Sequence, residues 1–207
     1  ATPEISDAPF TTWKPTPGMM VFENIQVQLI DTPPLERQIH VDSGLFDLAR
    51  HADLLLLIVD LQADPIRQLT DTLDILKKHR IVSATGENII IQDEKVTLRP
   101  VIVAANKCDY DDEACEIFCE LIDSNLLVVP VSAATGRGFD PLRQSIFAEL
   151  SIIRVYAKPP GEDADLERPF VIKKGGTVED LARKIHKDFY ENLKSARIWG
   201  SGSFPGQ

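Results

Sequence analysis

Apolar residues recur along this chain in two rhythms. Residues 25–30 alternate, with Ile25, Val27 and Leu29 on one side and Gln26 and Gln28 on the other. That is the period of a strand with one buried face. Residues 19–22 form a second short strand, and the turn Glu23-Asn24 joins the two. Just upstream, residues 11–18 are rich in Thr and Pro and read as a loop. Later apolar runs do not alternate. Residues 54–59 are continuously apolar, as expected of a strand covered on both faces of a parallel sheet, and residues 101–105 and 126–131 read as further strands of it. Between these runs the period becomes helical. Ile66, Leu69, Leu73 and Leu76 mark a helix over residues 65–78, and another covers about residues 45–51. Asp111, Asp112 and Glu113 open a third helix, where the helix dipole favours them. Asp140 as N-cap and Pro141 at the first position start a fourth, with the stripe Leu142, Ile146, Leu150 and Ile153. Residues 79–100 fit neither rhythm cleanly, and residues 89–91 and 96–98 around Asp93-Glu94 read as an exposed hairpin. Strands alternating with helices predict an α/β fold with an open, mostly parallel sheet.

The pattern changes near Ser151. Residues 154–157 and 170–173 read as strands flanking a polar linker, and Thr177 caps a helix with Leu181, Ile185 and Phe189 on one face. Residues 196–199 read as a third strand. Strand, strand, helix, strand is the order of a small mixed domain, so the chain divides into residues 1–151 and residues 152–207.

The chain has 207 residues, 43% of them hydrophobic and 26% charged, which predicts a folded protein. No apolar run reaches the roughly 18 residues of a membrane span, and no signal peptide opens the sequence. The net charge is −10. From Asp165 onward eight basic residues outnumber six acidic ones, so the acidity lies in the larger domain. An acidic body does not bind nucleic acid unaided, whereas the tail, with Lys173, Lys174, Lys184 and Lys187, is a candidate RNA contact. Cys108, Cys115 and Cys119 have no histidine at metal-ligand spacing, and reduced cytosolic thiols are the expected state.

The candidate chemistry sits where predicted strands end. The apolar run at residues 101–105 leads directly into Asn106-Lys107-Cys108-Asp109, and ligands of parallel sheets bind at the carboxyl ends of strands. The Asp109 carboxylate can accept from guanine N1–H and from the exocyclic amine. Adenine offers neither donor and would leave it unpaired. Asn106 can bond the base and neighbouring loops, and the Lys107 stem can lie over the base. Ser132-Ala133-Ala134 follows the next strand, and the Ala133 N–H is placed to reach guanine O6. Asp31, in Asp31-Thr32-Pro33-Pro34, ends the alternating strand and can hold Mg²⁺ through water. Thr12, in the upstream loop, offers a hydroxyl to the same ion or caps its own loop.

Together these residues resemble Ras-like GTPases of the translation-factor class, and within it the Obg and developmentally regulated GTP-binding branch. The segment from Asp7 to Thr12, running on to Gly18, resembles switch I, with Thr12 at the Mg²⁺ threonine. Asp31 to Pro34 resembles switch II, Asn106 to Asp109 the guanine motif and Ser132 to Ala134 the last motif. The tail, from Arg154-Val155-Tyr156 through Pro169-Phe170-Val171-Ile172 to Trp199-Gly200, is similar to a TGS domain, a small β-grasp module. The resemblance implies a Ras-like sheet, GTP or GDP with Mg²⁺, a cytoplasmic switch acting with ribosome or RNA, and no membrane or DNA partner. It names no catalytic residue in this chain.

The chain departs from that pattern in three places. No Gly-x-x-x-x-Gly-Lys-Ser/Thr occurs, so the first strand and phosphate loop are expected upstream of Ala1, and the chain as given is expected to bind GTP poorly. Pro34 stands where the family has the glycine whose N–H meets the γ-phosphate, and proline has no N–H. Leu35 follows, where many Ras-like proteins carry a water-positioning glutamine, which implies slow hydrolysis. The competing reading is a nucleotide-degenerate module that binds RNA, ribosome or protein through the TGS part.

Overall fold

The protein is described from a computed structural model, which covers residues 15–35, 43–84, 95–122, 125–158 and 161–200. Thr12 and the strand predicted at residues 89–91 lie outside the described residues. The chain forms two compact units. The first includes residues 27–150, and the second joins residues 151–200 to the hairpin tip Val21–Gln26.

The first unit is organised by a three-stranded parallel sheet in the order β3-β6-β7, comprising β3 (Leu55–Asp60), β6 (Val101–Asn106) and β7 (Leu127–Pro130). The central strand β6 is buried along Val101, Ile102, Val103, Ala104 and Ala105, as its unbroken apolar run requires. Helices cover both faces. On one, Val101, Val103 and Ala105 pack with Leu69 of α2 (Pro65–Lys78) and with Cys115 and Phe118 of α3 (Asp112–Leu121). On the other, Ile102, Ala104 and Val129 pack with Ile146 of α4 (Phe139–Glu149). A third cluster joins Phe46 of α1 (Ser43–His51) to Ile75, Leu76 and Ile81, and the half-buried Leu35 packs against it. The two-sided cover of β3 is incomplete among the described residues, because Ile58 is 67% exposed.

Helix starts follow local chemistry. Asp64 caps α2 by accepting from Arg67 N at 3.2 Å, with Pro65 next. Asp111 caps α3 by accepting from the amides of Glu113 and Ala114 at 2.9 and 3.2 Å. The expected cap of α4 is corrected: the helix starts at Phe139 behind Gly138, Asp140 is already helical, and Ile153 belongs to a strand rather than to the helix stripe.

Strands differ from the predicted spans in similar ways. β1 (Thr16–Phe22) begins within the Thr/Pro-rich stretch and pairs with β2 (Ile25–Asp31). Residues 97–99 form β5 (Thr97–Arg99), which pairs in parallel with β4 (Ile81–Ser83) and not as one arm of a local hairpin.

In the second unit, β8 (Ile152–Val155) and β9 (Phe170–Lys173) pair antiparallel. α5 (Val178–Ile185) follows, and Phe189 lies beyond its end in α6 (Lys187–Glu191). Residues 196–199 are not a strand. The hairpin tip is held within this unit: Asn24 Nδ2 donates to Leu166 O at 2.9 Å, and Arg154 pairs with Glu23 at 2.5 Å.

α5 has a reciprocal cap. Thr177 Oγ1 accepts from Asp180 N at 3.2 Å, and the Asp180 carboxylate accepts from Thr177 N at 2.8 Å. The backbone bond from Thr177 holds the Asp180 carboxyl below its ordinary value of 3.8. A lowered carboxylate stabilises the fold above its ordinary range, and that contribution is lost as the pH falls through the lowered value. Thr177→Ala is expected to cost about 1 kcal/mol in urea unfolding of the second unit. Asp180→Ala should lower the urea midpoint at pH 7, and by progressively less as the pH falls below the ordinary carboxylate range.

Candidate functional site at the carboxyl edge of the sheet

Parallel strands end together, and here the shared end is polar. The ladder pairs Asp60, last in β3, with Asn106, last in β6, and Leu61 N donates to Asn106 O at 3.1 Å. On the other side Val131 N donates to Ala105 O at 2.9 Å, which carries the ladder one residue past β7 and delivers Ser132 to the same edge.

The two sequence-predicted loops meet there. Asn106 Oδ1 accepts from Ala133 N at 3.0 Å. Cys108 N donates to Val131 O at 3.1 Å. The Asn106 side chain therefore staples one loop to the other, and the Ala133 amide that was expected to face guanine O6 is engaged by Asn106. Ser132 is fully buried. Its Oγ accepts from Thr135 N at 3.1 Å, its amide donates to Arg137 O at 2.9 Å, and so it shapes the loop from within. Ala133, Ala134 and Asp109 are exposed, and Lys107 and Asn106 are half-buried. Asp109 is thus presented at the surface of this edge, beside a buried Cys108 that anchors the turn.

Lys107 has φ 68°, the left-handed region that side chains rarely occupy. Its ammonium meets Asp60 Oδ2 at 2.7 Å. The hydrogen bond and charge of Asp60 raise the Lys107 pKa, so the lysine is charged throughout the neutral range. Asp60 is held in turn by Gln68, whose amide oxygen accepts from Asp60 N at 3.0 Å while its Nε2 donates to Asp60 O at 3.1 Å. Neither residue was singled out in the sequence. The available signal was that Asp60 ends an apolar run just as Asn106 does.

Arg137 was also missed. It pairs with Asp112 at 2.6 Å and donates to Cys108 O at 3.4 Å, joining the start of α3 to both loops. Behind it Gly138 has φ 81°, and a Cβ there would lie 2.0 Å from Pro130 O, so only glycine fits.

Asp31 ends β2 and is exposed. Thr12, its expected companion on Mg²⁺, is outside the described residues. A single carboxylate suits Mg²⁺, which takes one or two from protein and the rest from phosphate and water. Leu35 is packed in the cluster of Phe46, Ile75 and Leu76. No helix among the described residues is long and apolar enough to cross a membrane.

This arrangement, an α/β sheet with Asn-Lys-x-Asp and Ser-Ala-Ala loops stapled at its carboxyl edge, defines a protein of the Ras-like GTPase class. Residues 1–107 match the family described as "50S ribosome-binding GTPase", and residues 153–206 match the TGS domain. The chain belongs to that GTPase family and carries a TGS domain after it. It is 26% identical to an uncharacterized GTP-binding protein of Methanocaldococcus jannaschii, over all of this chain and 68% of that protein. It is 27% identical to developmentally-regulated GTP-binding protein 1 of Xenopus laevis, over 96% of this chain and 69% of that protein. A solved structure, a G235S variant of SsGBP, is 23% identical with a TM-score of 0.47, covering 65% of this chain and 47% of that one. The alignment with the Methanocaldococcus protein runs over 269 positions against 207 residues here, so that relative has internal residues without counterpart in this chain.

Asp60→Asn is expected to weaken guanine-nucleotide binding about tenfold while leaving thermal stability nearly unchanged, read by titration of a fluorescent GDP and by melting. Gly138→Ala is expected to cost about 3 kcal/mol in urea unfolding.

Proposed function

We propose that this protein is a guanine-nucleotide switch that binds GTP and GDP with Mg²⁺ and hydrolyses GTP slowly. One observation carries the reading: Asn106 Oδ1 holds Ala133 N–H, which fixes the Asp109 turn beside the Ser132–Ala134 loop. In this reading Asp109 accepts from guanine N1–H and the exocyclic amine, and Asn106 orients the base. The Lys107 stem covers the base while Asp60 holds its ammonium aside. Adenine would leave the Asp109 carboxylate unpaired, the kind of mismatch that discriminates by orders of magnitude. Mg²⁺ would supply charge neutralisation at the phosphates, with Asp31 and Thr12 as its protein partners.

Slow hydrolysis follows from two residues. Pro34 has no N–H to offer a γ-phosphate. Leu35 packs into a hydrophobic cluster and has no group that could orient water. An activator, whether protein, RNA or K⁺, would therefore set the rate. We place the protein in the cytoplasm, working with ribosome or RNA through its TGS domain, whose basic residues include Lys184 and Lys187. Pro34 also favours a second reading, in which nucleotide handling is degenerate and the TGS domain alone carries the role.

Calorimetry on the intact protein with GTP, GDP and ATP separates the two. The switch reading expects guanine selectivity that falls at least about a hundredfold in Asp109→Ala. Absence of any guanine preference would leave the second reading standing.

A further inference from the structure

The amino ends of β3 and β6 carry a chemistry opposite to that of the carboxyl ends. α1 finishes there with Arg50 and His51, and α2 with Lys77 and Lys78. His79 and Arg80 follow α2 at once, and Arg99 closes β5 just before β6 begins. The structure draws these residues together. An Arg99 Nη2 proton is donated to Arg50 O, Arg50 Nη2 donates to His79 O at 3.4 Å, and Thr97 N donates to Arg80 O at 2.8 Å. Two of the guanidiniums thus serve helix ends, the ordinary use of basic residues at such positions.

Lys77 and Lys78 sit in the last turn of α2 and suit its dipole as well, but among the described residues that leaves their ammonium groups unspent on side-chain partners. Lys77, Lys78 and Arg80 are exposed, and among the described residues they form no ion pair. Of the nearby carboxylates among the described residues, Asp47 is taken by Arg50 at 2.5 Å, while Asp53 and Asp74 have interactions of their own. Among the described residues a local surplus of positive charge therefore stands on a chain of net charge −10.

Charge alone would suit any polyanion, and His79 narrows the choice. Its ring lies flat on Phe46, with centroids 3.5 Å apart and planes 8° apart. Phe46 is buried and His79 is exposed, so one face of the imidazole is fixed against the core and the other is open to solvent. A flat ring stacked on the core beside lysines and arginines is the combination that single-stranded nucleic acid uses: a base stacks on the ring while its phosphates meet the cations. An acidic helix or the headgroup of an anionic lipid such as phosphatidylserine has no flat face to stack on the ring.

We propose that this pole of the first unit is a docking surface for an unpaired RNA segment, with a base on His79 and phosphates at Lys77, Lys78 and Arg80. Six-residue strands separate it from the guanine edge by about 20 Å, so both sites can be filled together. The proposal is independent of the guanine reading and of RNA contacts by the TGS domain.

The test uses the intact protein and a fluorescein-labelled unstructured 12-nucleotide RNA, followed by anisotropy at several KCl concentrations. Lys77→Glu with Arg80→Glu is expected to weaken binding at least about tenfold and to flatten the log–log salt slope by about 1.4. His79→Ala is expected to weaken binding about tenfold, and His79→Tyr to restore it, because the tyrosine ring keeps the stack. Melting and GDP titration of the same variants show whether the fold and the remote edge are intact. Two results would overturn the proposal. One is RNA affinity unchanged in these folded variants. The other is a matched loss on heparin or phosphatidylserine vesicles with no rescue by His79→Tyr, which would mark an unspecific polyanion face.

Discussion

The register of β6 between its two neighbours is the constraint on which the candidate site depends. β6 is buried on both faces and paired on both edges, so it cannot shift without moving a whole row of apolar side chains. That fixed register sets Asp60 opposite Asn106 and carries the ladder on to Val131. Three polar loops are thereby brought to one edge before any side chain chooses a partner. The bonds from Asn106 to Ala133 and from Lys107 to Asp60 then refine an arrangement the core has imposed.

The same constraint explains the strain at Lys107. A turn from a buried strand to an exposed carboxylate within three residues requires a sharp reversal, and Lys107 takes it at φ 68°. The reversal is held by Cys108 N on Val131 O and by Arg137 on Cys108 O. On the far side Gly138 admits the close passage of Pro130 that lets α4 start directly below the loop. At this edge the distortion of Lys107 sits where ligand contact is expected, while Glu23, Asp64, Arg80 and Ser151 take positive φ at turns or a helix start elsewhere.

Much of this was legible in the sequence because continuous apolar runs and helical stripes have unambiguous periods. Residues 54–59, 101–105 and 126–131 became β3, β6 and β7 with ends moved by a residue or two. The losses have particular causes. β4 is three residues long and follows a helix without a turn signal, so Ile81–Ser83 was not separable from its surroundings. Asp140 has the side-chain oxygen that usually starts a helix, whereas here Gly138 in a left-handed conformation stands at the cap. Residues 196–199 alternate weakly and have no strand to pair with among the described residues. At the site, the loops could be read from residue type, but Asp60 and Arg137 act through partners distant in sequence and only the fold identifies them.

The two proposed functions lie at opposite ends of one sheet: a guanine edge built by strand register and a basic pole built by helix termini. The claim that the carboxyl edge reads guanine is tested most directly by amide chemical-shift mapping with GDP and with ADP. Shifts concentrated at Asn106–Asp109 and Ser132–Ala134 with GDP, and absent with ADP, are the predicted result. Equal shifts with both nucleotides, or shifts confined to other parts of the chain, would contradict it.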